Sequence, residues 1–150
     1  MTEEQEQALQ LATEAGHILL ENGAEISRVE ETMTRIASAY GIEDESFFVL
    51  SNGIIATGQH YARAEFIPIK GTQLAKVVEV NQLSRDVTAG ECGNELTCEC
   101  VNQTNEFTNP QVNTFKPMSV ETLRQRIQAI RNMPGKVWWE MTLGIALGVS

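Results

Sequence analysis

The feature of this sequence that most constrains its fold is a change of hydrophobic period near residue 47. Apolar residues recur at three- and four-residue steps over residues 3–22 and again over 27–41, which predicts two amphipathic helices. Two short apolar runs follow, 47–50 and 54–57, on either side of Asn52-Gly53. An Asn-Gly pair between apolar runs is typical of a β-hairpin. The chain therefore combines helices with antiparallel strands, and the predicted fold class is α+β.

The predicted helix ends follow from local chemistry. Asn22-Gly23 is expected to stop the first helix, because glycine adopts the left-handed conformation that a helix C-terminus often needs. Ser27 and Glu30 match a capping box and predict the start of the second helix. We therefore expect two antiparallel helices joined by a tight turn, with Gly23 as the turn residue there and Gly53 as the turn residue of the hairpin.

The rest of the chain is less regular. Residues 61–67 are expected to add a third strand, and residues 72–88 return to helical spacing with Thr72 as a candidate N-cap. Residues 90–118 show no period and are interpreted as a long loop or an insertion. Ser119 is predicted to cap a further short helix that ends before Pro134.

The last 14 residues, 137–150, are mostly apolar with a single charge at Glu140. Tryptophans at the start of this run and a Gly-x-x-x-Gly spacing within it are typical of a membrane helix. Four cations precede the run, which by the positive-inside rule predicts a cytoplasmic domain before it: Arg124, Arg126, Arg131 and Lys136. We therefore expect a cytoplasmic domain over 1–135 and the start of a first transmembrane helix over 136–150, truncated by the end of the sequence. The alternative is a buried C-terminal helix of a soluble domain.

Charge excludes one class of partner. The formal net charge of the 150 residues is −9, and a nucleic-acid-binding protein needs clustered Lys and Arg instead. The acidic residues concentrate in residues 1–50, where a solvated helix face and a cation or basic-partner surface are both open interpretations. The N-terminus is acidic and has no visible signal peptide.

No motif for catalysis is visible. The sequence has no nucleophile elbow, phosphate-binding loop or dinucleotide fingerprint, so we expect neither an enzyme nor a bound cofactor. Cys92, Cys98 and Cys100 are only weak metal candidates, because their spacing departs from the paired cysteines of zinc sites. His17 is interpreted as an ordinary helix residue.

Three blocks of this sequence resemble the threonine/serine exporter family. The first runs from Ala15 to Ile36 and includes Glu21-Asn22-Gly23-Ala24-Glu25; the others are Ser51–Ile55 and Gly71–Arg85. Residues 119–130 are similar to the short helix that precedes the first membrane span in that family.

The resemblance implies a proton-coupled exporter of threonine, serine or a related small amino or organic acid, since related two-component members export dicarboxylates. It implies a place in the inner membrane, with this domain facing the cytoplasm and the membrane entered after Lys136. A homo-oligomer or a second membrane subunit is the expected partner. The domain itself would gate, sense or assemble. The alternative is a soluble metal-binding or oligomerisation domain without transport activity.

Six residues in the resembling blocks are candidates for binding: Glu25, Arg28, Glu30, Asn52, Asn81 and Arg85. A carboxylate and a guanidinium three residues apart would oppose the two charges of an amino acid, which makes Glu25 and Arg28 the leading pair. The alternative is that the same groups fix the joint between the first two helices through caps and ion pairs.

Overall fold

The computed structural model describes residues 2–43, 46–58, 61–89 and 116–134. Within these ranges the protein has four helices and one three-stranded antiparallel sheet. The elements in chain order are α1 (Glu3–Glu21), α2 (Ile26–Ala39), β1 (Ser46–Leu50), β2 (Gly53–Thr57), β3 (Ala62–Phe66), α3 (Leu74–Ala89) and α4 (Val120–Arg131). The predicted α+β class and the predicted order of elements are confirmed.

Helices α1 and α2 form the predicted helical hairpin. Gly23 ends α1 with a φ of 79°, the left-handed conformation that reverses the chain. The predicted capping box at the start of α2 is wrong: α2 has Glu25 as its N-cap with no side-chain cap bond, and Ser27 lies inside the first turn. Glu30 instead accepts a hydrogen bond from the backbone N–H of Val49 at 3.3 Å, which ties α2 to β1.

Helix α1 is the centre of the core. It packs against α2, α3, α4 and β2, and its fully buried side chains include Leu9, Ile18 and Leu19. At Gly16 a Cβ atom would lie 2.3 Å from the sulfur of Met33 on α2. The absence of a side chain at this position therefore lets the two helices approach closely.

The hairpin turn is one residue earlier than the Asn-Gly pair suggests. Leu50 pairs with Gly53, so Ser51 and Asn52 form the turn and Gly53 is the first residue of β2. A Cβ on Gly53 would lie 2.8 Å from the backbone oxygen of Glu65 on β3. Glycine is needed here because the neighbouring strand is close, and its φ is not among the positive values of the structure.

The two faces of the sheet differ in chemistry. Val49, Ile54 and Ala56 point inward and are buried. The residues in register on the opposite face carry no charge, and we call this set the outer sheet face: Ser46, Phe48, Leu50, Gly53, Ile55, Thr57, Ala62, Ala64 and Phe66.

Helices α3 and α4 pack against α1 and against each other. Helix α3 begins at Leu74, two residues after the predicted start. The predicted cap of α4 is confirmed, because the Ser119 side chain accepts from the N–H of Thr122 at 3.2 Å. Arg126 and Asp86 join the two helices through a contact of 2.6 Å.

None of the helices in the described ranges is long and apolar enough to cross a membrane. The expected membrane segment at 136–150 and nearly all of the loop expected at 90–118 lie outside the described residues.

We predict that Tyr40→Phe lowers the free energy of unfolding by about 1 kcal/mol at neutral pH, because the buried hydroxyl of Tyr40 donates to the backbone oxygen of Met118 at 2.7 Å. Burial, with a smaller effect of Glu4, raises the pKa of Tyr40 from 10.0 to about 12. The folded state therefore holds this proton more tightly, and the resulting stability is present below pH 10 and is lost as the pH rises through about 12. Urea unfolding should show the difference between wild type and variant narrowing over that range. A constant difference would contradict the assignment.

Candidate functional site

Three of the sequence-predicted binding residues lie at the start of α2. Glu25 and Arg28 are exposed, whereas Glu30 is half-buried and is engaged by the backbone of β1. Among the described residues no ion pair joins Arg28 to Glu25 or to Glu31, which pairs with Arg35 instead. The leading pair is therefore on the protein surface, with both charges facing solvent.

The other three predicted residues lie apart from these. Asn52 is in the hairpin turn, where its backbone oxygen accepts from Ile67 N–H at 2.8 Å. Asn81 is half-buried in α3 and accepts a hydrogen bond of 3.5 Å from the hydroxyl of Thr32, which links α3 to α2. Arg85 is exposed on α3. The contacts of Asn52 and Asn81 connect elements of the fold.

A polar cavity lies at the C-terminal ends of α1 and α4. Its volume is about 440 Å³, and we call it the α1–α4 cavity. Its walls come from the end of α1, the segment after β3, the first turn of α3 and the last residue of α4. The lining residues are His17, Glu21, Asn22, Lys70, Gln73, Lys76 and Arg131. Every one of them is polar.

The charge of this cavity is opposite to that of the chain. Three of its seven lining residues are cations and one is an acid, whereas the whole chain carries −9. A concave site of one sign within a surface of the other sign concentrates counter-ions. The α1–α4 cavity is therefore suited to an anionic group.

Glu21 is the acid of the cavity and is paired. The ammonium of Lys70 lies 2.5 Å from its carboxylate, and the backbone N–H of Lys70 donates to the Glu21 backbone oxygen at 3.0 Å. Burial raises the pKa of Glu21, but Lys70, together with the weaker fields of His17 and Lys76, outweighs it and leaves the pKa below its ordinary value. Glu21 is thus held as a carboxylate.

Lys76 fixes the end of α4. Its ammonium donates to the backbone oxygen of Arg131 at 3.0 Å. A cation is stabilised at a helix C-terminus because the unpaired carbonyls there carry partial negative charge. This bond fixes the first turn of α3 against the last turn of α4 and places both cations beside the cavity.

His17 is oriented by a neighbour on the sheet. Its Nδ1 lies 3.0 Å from a carboxylate oxygen of Glu65, which also pairs with Arg63. Because a carboxylate only accepts hydrogen bonds, Nδ1 carries the hydrogen, and Nε2 is left as the acceptor of the neutral ring. His17 therefore has a fixed tautomer and one nitrogen free of this contact.

Sequence reasoning missed this cavity. A visible signal was the four-residue spacing of His17 and Glu21, which places both on one face of α1. The cations come from positions 70, 76 and 131, and no local motif connects them.

A larger cavity of about 570 Å³ lies near Tyr40 and Lys116. Three of its polar side chains already serve the fold, because Thr2 and Ser119 cap α1 and α4 and Gln5 completes the capping box of α1. We therefore place the candidate site in the α1–α4 cavity.

No group of three or more His, Cys, Asp or Glu residues within the described ranges is placed to hold a metal ion. Cys92, Cys98 and Cys100 lie outside those ranges.

Comparison with known families gives a match that covers more than half of the chain. The model of the threonine/serine exporter family, ThrE, matches residues 10–106, nearly two thirds of the chain. The matched region holds most of α1 and all of α2, the sheet and α3, and it continues into the stretch interpreted as an insertion. No curated protein and no solved structure gives a significant match.

We predict that the stabilising effect of Glu21 disappears in acid. A group with a lowered pKa in the folded state contributes stability above its ordinary pKa, here 4.5, and loses it as the pH falls through the folded value. Glu21→Gln should therefore be less stable than wild type at pH 7, and the two proteins should converge below pH 4. Thermal unfolding across this range measures the effect. Glu79→Gln is the control, because Glu79 is exposed and forms no ion pair within the described ranges, and an equal pH dependence in both variants would contradict the prediction.

Proposed function

Because the chain belongs to the threonine/serine exporter family, we propose that residues 1–135 form the cytoplasmic domain of a membrane exporter and that residues 136–150 begin its first transmembrane helix. The family is one of transporters of amino acids, and the match includes nearly the whole of the α1–α3 framework. The proposed cargo is threonine, serine or a related small amino or organic acid, and its export is coupled to the proton gradient.

The proposed task of this domain is to sense cargo and to gate export. The position of the α1–α4 cavity supports this task, because Arg131 lines it as the last residue of α4. The proposed membrane segment starts only five residues later. A ligand bound to Arg131 would restrain the end of α4. Through the few residues that follow, this restraint would act on the start of the proposed membrane segment.

We predict that cells with the intact gene export threonine or serine faster than a deletion strain, and that an uncoupler slows the export. After loading with a threonine-containing peptide, the amino acid released into the medium is measured over time. Complementation with Arg131→Gln should restore slower export than wild type at equal protein levels, whereas Arg35→Gln, a cation outside the cavity, should restore export fully.

Protease treatment from each side of the membrane tests the orientation, with the N-terminal domain cut only from the cytoplasmic side. Unchanged export of threonine, serine and succinate after deletion would contradict the proposed function.

Assembly is the second candidate function, and the outer sheet face favours it. Phe48, Leu50 and Phe66 are 58%, 52% and 72% exposed on this face.

We propose that a second copy of this chain binds to the outer sheet face. Two chains of charge −9 repel each other, and repulsion is least where neither presents a charge. From the spacings of residues and strands, the face measures roughly 17 Å by 14 Å, an area of about 240 Å². Stable interfaces bury about 800 Å² on each partner, which is well above this area. The dimer should therefore be weak.

We predict a concentration-dependent monomer–dimer equilibrium that Phe66→Lys abolishes. The substitution places a charge on the most exposed aromatic side chain of this face, and because Phe66 is 72% exposed it does not disturb the core. Val78→Lys is the matched control, because Val78 is 61% exposed on α3 rather than on the sheet. Sedimentation equilibrium with and without threonine measures the association. A monomer at all concentrations, or equal effects of both variants, would exclude this interface.

A further inference from the structure

We propose that the α1–α4 cavity binds the carboxylate of a small metabolite, with Arg131 and Lys76 as the receiving cations. This inference rests on the proposed function for its choice of ligands, an amino acid or a dicarboxylate. It assigns binding to residues outside the sequence-predicted set, which centres on Glu25 and Arg28.

The two cations have hydrogen-bond donors to spare. Lys76 uses one donor on the Arg131 backbone oxygen, and an ammonium has three. The Arg131 guanidinium carries five donors, and no acid in the described ranges forms an ion pair with it. Lys70 differs from both, because the Glu21 carboxylate already pairs with it. A carboxylate entering the cavity therefore meets Lys76 and Arg131 as its available partners.

The cavity has the size of a small-ligand site. About 440 Å³ lies within the usual range for such pockets, and the polar groups converge from four segments of the fold. Arginine can bind a carboxylate through two parallel hydrogen bonds, which gives orientation as well as affinity.

The Glu21–Lys70 ion pair offers a partner for the second charged group of the ligand, which is an ammonium in an amino acid and a carboxylate in a dicarboxylate. An amino acid would present its ammonium to Glu21 and displace Lys70 from that carboxylate. A dicarboxylate would present its second carboxylate to Lys70 and displace Glu21. The two ligand classes thus depend on opposite members of one ion pair, whose charged atoms are 2.5 Å apart.

A purely structural role makes a different prediction. Lys70 and Lys76 also tie the ends of α1 and α4, so replacing either can lower stability without any ligand. The guanidinium of Arg131 lies outside that scheme, since Lys76 contacts only its backbone oxygen. Gln73 is exposed, and its backbone oxygen, which accepts from Lys76 N–H, is retained in any variant. Arg131 and Gln73 are therefore the informative positions.

The test is isothermal titration of the purified 150-residue chain with threonine, serine and succinate at low ionic strength, and with propylamine as a ligand without a carboxylate. We expect at least one carboxylate to bind and propylamine not to bind. Arg131→Gln should weaken binding about tenfold or more, the scale of one lost charge-assisted hydrogen bond. Gln73→Glu, which adds a negative charge to the cavity wall, should weaken it similarly. Arg35→Gln should bind as wild type.

The ligand class is tested with the ion pair. Glu21→Gln should weaken threonine or serine if an amino acid is the ligand, and Lys70→Gln should weaken succinate if a dicarboxylate is. Melting temperatures without ligand confirm that each variant is folded.

The proposal is overturned if none of the three carboxylates binds, or if Arg131→Gln and Gln73→Glu bind as wild type. Loss of binding in Arg28→Gln alone would place the site at the start of α2 instead. Because the titration needs no membrane, its failure is distinct from that of the proposed function. If the cells export the amino acid but this chain binds none of the ligands, the proposed binding site in the cavity is excluded and the exporter role stands. If the chain binds a ligand but the cells show no export, the exporter role is excluded and the binding site stands.

Discussion

The burial of α1 is the constraint on which the rest of the structure depends. Its apolar residues face α2, α3, α4 and the sheet at once, so every other helix is positioned against this one. Each fully buried Leu or Ile contributes about 1.5–3 kcal/mol, and Leu9, Ile18 and Leu19 are all essentially inaccessible. The polar end of the same helix, at Glu21 and Asn22, then forms one wall of the α1–α4 cavity. Core and candidate site therefore share the last turns of a single helix, where buried Ile18 and Leu19 lie between His17 and Glu21.

Much of this fold is predictable from the sequence because its signals are local. The stripes of α1 and α2, the stop at Gly23 and the cap at Ser119 each depend on residues within a few positions of one another. The errors have a tertiary cause. Ser27 and Glu30 satisfy the pattern of a capping box, but Glu30 is drawn to the backbone of β1. The sequence predicts Gly53 as a turn residue, but glycine is needed there because the backbone oxygen of Glu65 on β3 leaves no room for a Cβ atom.

The candidate site was less predictable than the fold. Lys70, Lys76 and Arg131 are far apart in sequence. They line one cavity only because α3 and α4 pack against the end of α1. The pair that sequence reasoning favoured, Glu25 and Arg28, stays a prediction at the exposed start of α2. Proximity in sequence suggested that pair, whereas charge balance within a concave space suggests the cavity.

The contacts between α4 and the rest of the domain have a consequence for how such proteins can vary. Tyr40 holds Met118 before α4 begins, Asp86 holds Arg126 in its middle, and Lys76 holds its last residue. The helix is thus anchored along its whole length by these three contacts. None of the three involves a residue between 89 and 116. Evolution can therefore change the length of that stretch while these contacts, and with them the end of α4 that lines the cavity, are kept.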